Sequence, residues 1–267
     1  LWHVGRISHT SFHEKEGLPI APSALKPYGK TFTNDWSFVP YETPKEMTQS
    51  DIDLVIEQFY QAALNAKKAG FDGVEIHNAN GYLLDQFLQT KTNQRKDNFG
   101  GSYENRTRLL NLILNKVKTV YESDKIGVRL SPYGSFGDIS DEDPEGLFTY
   151  VIEMLNTHNL GYLHVIEPRS TSAGGDDNVN SEAPNTSEIF RNVYTGVFIS
   201  AGGYDRQLGE ATLQNNLADA IAYGRLFISN PDLVERFAQN APLTPYNRST
   251  FYGGNEVGYT DYPSLGS

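Results

Sequence analysis

Six consecutive residues, His77-Asn78-Ala79-Asn80-Gly81-Tyr82, set an imidazole, two carboxamides and a phenol at the end of a mostly apolar stretch that begins at Phe71. A buried strand that finishes this way delivers hydrogen-bond donors and a phenolic acid to its C-terminal end, which is where a parallel α/β barrel keeps its catalytic groups. The alternative is a satisfied strand-end His77, a loop-capping Asn80 and a Tyr82 that is one of 16 ordinary tyrosines. Arg129 lies inside an otherwise apolar run, Ile126-Gly127-Val128-Arg129-Leu130. A buried cation needs a partner, and Glu167 on a neighbouring strand is one candidate. Gly202-Gly203 and Gly224-Arg225 each follow an apolar stretch. Barrels bind phosphate after their last strands through backbone N–H groups; a glycine pair is also an ordinary turn. Trp2 and Tyr252 are either pocket walls or packing aromatics. Arg95, Asp97, Glu104 and Arg106 read as a structural polar network. His3, His9 and His13 are spaced for ligation only if Gly/Pro-interrupted sequence were helical, and no cysteine assists them, so no metal site is expected.

These residues need elements to position them. Thr48 with Asp51, or Ser50 with Asp53, fits an N-terminal box for a helix to about Ala69, stopped by Gly70. Further helices are expected over residues 104–121, 144–159, with Pro144 in its first turn, and 206–215, and in a segment capped by Asn230 ahead of Pro231. Between them lie apolar strands over residues 71–77, 126–130, 162–166, 197–200 and 218–223, and Leu1 to Val4 reads as the end of another. Strands separated by helices imply a parallel sheet. Val74, Ile76 and Val128 are expected to face the barrel interior.

Composition narrows the function classes. A net charge of −11 argues against sequence-independent nucleic-acid binding. The absence of cysteine removes disulfides, thiolate catalysis and iron–sulfur clusters. No apolar run approaches the ~20 residues that span a bilayer, no signal peptide is visible, and the cytoplasm is the default location. Neither G-x-G-x-x-G nor a Walker A run occurs.

Six motifs, in order, resemble the old yellow enzyme family of FMN-dependent ene-reductases, of the N-ethylmaleimide reductase-like kind. They are Leu1-Trp2-His3-Val4-Gly5-Arg6; Ala69 to His77; Asn93-Gln94-Arg95-Lys96-Asp97 with Phe99-Gly100-Gly101-Ser102 and Glu104-Asn105-Arg106; Val128-Arg129-Leu130-Ser131-Pro132; Gly224-Arg225 with Asn230-Pro231-Asp232-Leu233; and Phe251-Tyr252-Gly253-Gly254 with Gly258 to Pro263. The resemblance implies a (β/α)8 TIM barrel. Family members carry two further βα units and the start of the third strand before this Trp, with a flavin-contacting Thr and Gln. The expectation is therefore a single domain over residues 1–267, an incomplete, N-terminally truncated barrel of about six βα units.

The resemblance also implies roles. NAD(P)H reduces FMN, and the reduced flavin passes hydride to an α,β-unsaturated carbonyl or a nitro compound, the small-molecule partner. His77 and Asn80 hydrogen-bond the substrate oxygen, on which hydride addition builds negative charge. Tyr82 protonates the α-carbon, a phenol of ordinary pKa ≈ 10 being protonated at neutral pH. Arg129 lies against the flavin N1/O2 edge, and Gly202, Gly203, Gly224 and Arg225 hold its phosphate. A second reading is a non-catalytic truncated remnant, and a third a flavin-free lyase or isomerase using His77 and Tyr82. No nucleic-acid or membrane partner is expected.

Overall fold

Short strands open the chain. β1 (Ile20–Ala21) pairs parallel with β4 (Lys45–Glu46), and β2 (Lys30–Phe32) antiparallel with β3 (Phe38–Pro40). The computed structural model describes residues 1–13, 17–170, 178–252 and 254–266. Residues 171–177 of the Gly/Asn/Ser-rich loop, Gly253 of the tail motif and Ser267 lie outside the described residues.

The alternating part follows. Its elements are α1 (Gln49–Lys68), β5 (Val74–Asn78), α2 (Leu83–Leu88), α3 (Tyr103–Val117), β6 (Ile126–Leu130), α4 (Pro144–Asn156), β7 (Tyr162–Ile166), α5 (Thr186–Phe190), β8 (Phe198–Ala201), α6 (Arg206–Gln214), β9 (Ala220–Ala222), α7 (Arg225–Ser229) and α8 (Leu233–Gln239). The five strands β5 to β9 form one parallel sheet in sequence order, each paired with the next. Leu1 extends it beyond β5: His77 N donates to Leu1 O at 2.9 Å and the Leu1 nitrogen to Glu75 O at 2.5 Å. The Leu1 stretch thus occupies a sixth position.

Local chemistry sets the boundaries. Thr48 caps α1 in a capping box with Asp51, and Gly70 follows its end at φ 88°. Asp143 caps α4, with Pro144 at its start. The C-terminal helix departs from expectation. Asp232, not Asn230, is its N-cap; Asn230 is buried, and its amide donates to Leu226 O and Thr244 O while its oxygen accepts from Thr244 N. It ties the tail to α7 instead of starting α8.

The sheet has two unlike faces. Ile76, Val128, Leu130, Leu163, Val165 and Phe198 are fully buried in one core cluster with Val55 and Phe59 of α1, Leu109 and Ile113 of α3, and Phe148 and Val151 of α4. This corrects the expectation for Val74, Ile76 and Val128: their face packs on helices. The other face carries the intervening residues Glu75, His77, Gly127, Arg129, Tyr162 and His164, because successive side chains on a strand point to opposite sides.

Candidate active site

The register lines up the second face in rows. Glu75, Gly127 and Tyr162 make one; His77, Arg129, His164, Ile199 and Ala220 make the next. Arg129 therefore stands between two imidazoles. Gly127 is required below it, since a Cβ there would lie 2.2 Å from Tyr162 Cζ. The Tyr162 ring fills the space that a Gly127 side chain would take, and His164 Nδ1 meets Glu75 Oε2 at 3.0 Å across β6.

The expected partner of Arg129, Glu167, is engaged elsewhere. Glu167 is fully buried and accepts from Thr186 N, Ser187 N and the Ser187 and Ser200 hydroxyls. Arg129 Nε is buried with no hydrogen-bond partner among the described residues, as are His77 Nε2 and His164 Nε2. Burial pulls the Arg129 guanidinium below its ordinary value, and Glu75 opposes that. His77 is pulled down to about 4, first by burial and then by the charge of Arg129. At neutral pH its ring is uncharged and retains one donor nitrogen.

Beyond His77 the chain turns sharply. Asn80 and Gly81 both have left-handed backbones, φ 56° and 72°. A Cβ on Gly81 would fall 1.9 Å from Phe136 O, so only glycine fits. Asn80 N donates to Ser131 Oγ at 2.7 Å and Gly81 N to Asp85 Oδ2 at 2.9 Å. Asp85 is fully buried on α2, and burial pushes its carboxyl up to about 6.

The turn brings Tyr82 back over the strand end. Its ring lies 5.6 Å from His77 and 4.8 Å, edge to face, from Trp2. Burial, then the nearby phenols of Tyr41 and Tyr252, raise the Tyr82 hydroxyl above its ordinary pKa, so it stays protonated. Trp2 is exposed and also lies 6.1 Å from His77. Tyr252 is exposed and packs 6.4 Å from Phe251.

Gly202 and Gly203 leave β8 with φ 105° and 65°. Ala201 pairs with Ala222, so this turn and Gly224-Arg225 emerge from adjacent strands at the same level. Space around a Gly224 Cβ is open. Arg169 was not anticipated there. Its Nε donates to Gly202 O, its guanidinium stacks 4.3 Å over Tyr204, and its buried Nη2 has no partner among the described residues.

Arg95 and Arg106 do hold the loop. Arg95 binds Asp97 and the carbonyls of Pro22 and Met47, while Arg106 binds Leu88 O and Asp141. Glu104 stands outside that network, exposed and paired with Arg108. Glu75, His164, Tyr162 and Asp85 were missed. The signal was available for one pair: Glu75 and His164 are polar interruptions of apolar strands, as Arg129 is.

Comparison with known proteins identifies the fold and its chemistry. A model of the NADH:flavin oxidoreductase / NADH oxidase family matches residues 1–244. The chain belongs to this family, and within it to the old yellow enzymes. The chain is 42% identical over 270 residues to the putative 12-oxophytodienoate reductase 11 of Oryza sativa subsp. japonica, covering 100% of this chain and 72% of that protein. It superposes on morphinone reductase in complex with tetrahydroNAD with TM-score 0.89 and 41% identity, over 99% of this chain and 71% of that one. The old yellow enzyme homologue from Zymomonas mobilis gives TM-score 0.91 and 36% identity over 98% and 72%. Such structures are TIM barrels, and family members are NAD(P)H-dependent flavin oxidoreductases carrying FMN. The old yellow enzyme sheet seen here fits FMN: one face offers the half-buried cation of Arg129, whose buried Nε has no partner among the described residues, and two adjacent glycine turns lie at its far edge, with open space at Gly224. Among the described residues, no helix is long and apolar enough to cross a membrane.

Proposed function

We propose that the chain reduces the activated C=C bond of α,β-unsaturated carbonyl or nitro compounds. The observation that carries the reading is the convergence of Trp2, His77 and Tyr82 at one strand end, with His77 Nε2 buried and unpartnered. A ketone-type substrate is in keeping with the names of relatives, 12-oxophytodienoate reductase and morphinone reductase.

When bound and reduced by NAD(P)H, FMN would supply the hydride. The π bond breaks as hydride adds to the β-carbon and a proton adds to the α-carbon, and charge gathers meanwhile on the substrate oxygen. His77, neutral because burial and Arg129 keep it so, donates to that oxygen beside the Asn80 amide. Donors fixed before the reaction stabilise the developing charge without reorganising. The Tyr82 hydroxyl, protonated at neutral pH, gives the proton. Trp2 and Tyr252 wall the substrate. Arg129 would hold the flavin N1/O2 edge, and Gly202, Gly203, Gly224 and Arg225 would hold its phosphate.

The test separates the two half-reactions without oxygen. NAD(P)H should bleach the flavin, and an enone or nitroalkene should restore its colour with one equivalent of saturated product. Flavin restored by oxygen but by neither substrate class would overturn the proposal.

A further inference from the structure

Arg129 does not act alone. It stands diagonally across β5 and β6 from Glu75, whose register partner is Gly127, two residues earlier on Arg129's own strand. Glu75 is the carboxylate whose charge acts on Arg129. It does not close onto the guanidinium, because His164 Nδ1 holds Glu75 Oε2 at 3.0 Å from the far side of β6. Tyr162, whose ring lies over Gly127 because that residue has no side chain, is a second hydrogen-bond partner of Glu75. Arg129 Nε consequently remains unpartnered and directed by the sheet alone.

We infer that Glu75, held back by His164 and Tyr162, is a positioning residue that compensates part of the Arg129 charge and so sets the balance between oxidised and reduced flavin. This rests on the placement of Arg129 against the flavin N1/O2 edge. Two-electron reduction, with hydride arriving from NAD(P)H, leaves negative charge on that edge. A bare guanidinium favours the reduced form there; a carboxylate behind it subtracts from that preference. The low dielectric of a buried site makes such a charge felt at a distance of several ångströms. Glu75 remains ionised in this position: burial alone would raise its carboxyl, yet His164, Arg129 and Tyr162 together bring it below its ordinary value. Burial and then Glu75 push the Tyr162 phenol up to about 12.

The experiment is a spectroscopic potentiometric titration of the flavin-loaded protein, with FMN dissociation constants measured alongside. Glu75→Gln, which keeps the shape and removes the charge, should favour reduced over oxidised flavin about tenfold, roughly 30 mV upward for two electrons. A shift below about twofold, or a downward one, overturns the inference. If Glu75→Gln does not fold, His164→Asn combined with Tyr162→Phe decides: it removes both hydrogen bonds that hold the carboxylate, frees it toward Arg129 and should lower the potential, so an unchanged or raised value overturns the inference. Arg129→Lys tests the underlying placement. Weakened FMN binding in Arg129→Lys supports it; unchanged affinity overturns the placement and the inference with it, whereas weakened binding with an unmoved Glu75→Gln potential overturns the inference alone.

Discussion

His77 and Arg129 are register partners on adjacent parallel strands, and each has a buried ring or guanidinium nitrogen without a partner. A guanidinium beside an imidazole makes protonating that imidazole costly, and burial adds to the cost. This juxtaposition keeps the ring a neutral donor, which oxyanion stabilisation at neutral pH requires.

A pH dependence follows. His77 titrates at about 4, so substrate binding should be insensitive to this group between pH 5.5 and 8. Arg129→Gln should move the His77 pKa upward, though short of 6.5 because burial remains the larger cause. NMR titration of the imidazole reads it; an unmoved value would show that Arg129 does not act on the ring.

Asp85 and the histidines pull stability in opposite directions with pH. His77 and His3 both titrate near 4 in the fold. Their contribution is full above 6.5 and is lost as pH falls through 4. Asp85, raised to about 6, contributes fully below 3.8 and loses that contribution as pH rises through 6. Asp85→Asn should therefore steepen the gain in stability between pH 4 and 6.5, by up to a few kcal/mol at about 1.4 kcal/mol per unit. Thermal melts across that range measure it; an unchanged slope would mean that Asp85 titrates normally.

The strands and helices from Gln49 onward were legible because apolar residues recur at helical or strand spacing and caps such as Thr48 mark the starts. Which face of the sheet is the interior was misread. Ile76 and Val128 are apolar, and apolarity fits a barrel interior as well as a helix layer. The alternation of Glu75, His77 and Arg129 with them held the answer, since only one face can take charges. The pairs β1–β4 and β2–β3 involve two or three residues each, too few to show a period. His77, Asn80 and Tyr82 were legible because one turn carries them. The Glu75–His164 contact spans 89 residues, and no local spacing announces it. Glu167 looked available to Arg129 in the sequence, but the fold gives it the N-terminus of α5.

Asn78 gives a stability prediction. It is fully buried on the helix-packed face, and neither amide atom has a partner among the described residues. Leaving such a group unsatisfied costs about 1–3 kcal/mol. Asn78→Ala should raise the unfolding free energy by about 1 kcal/mol after the loss of packing, read by denaturant titration. A loss of stability would mean that the amide is satisfied.

The most direct measurement concerns Tyr82. Stopped-flow absorbance on the flavin-loaded protein should find Tyr82→Phe reduced by NAD(P)H at nearly the wild-type rate, because that step delivers no proton to carbon. Reoxidation by an enone should slow by about 10²–10⁴-fold, the usual worth of a general acid. Equal slowing of both half-reactions, or no slowing of the second, would contradict the assignment of Tyr82 and with it the account of this site.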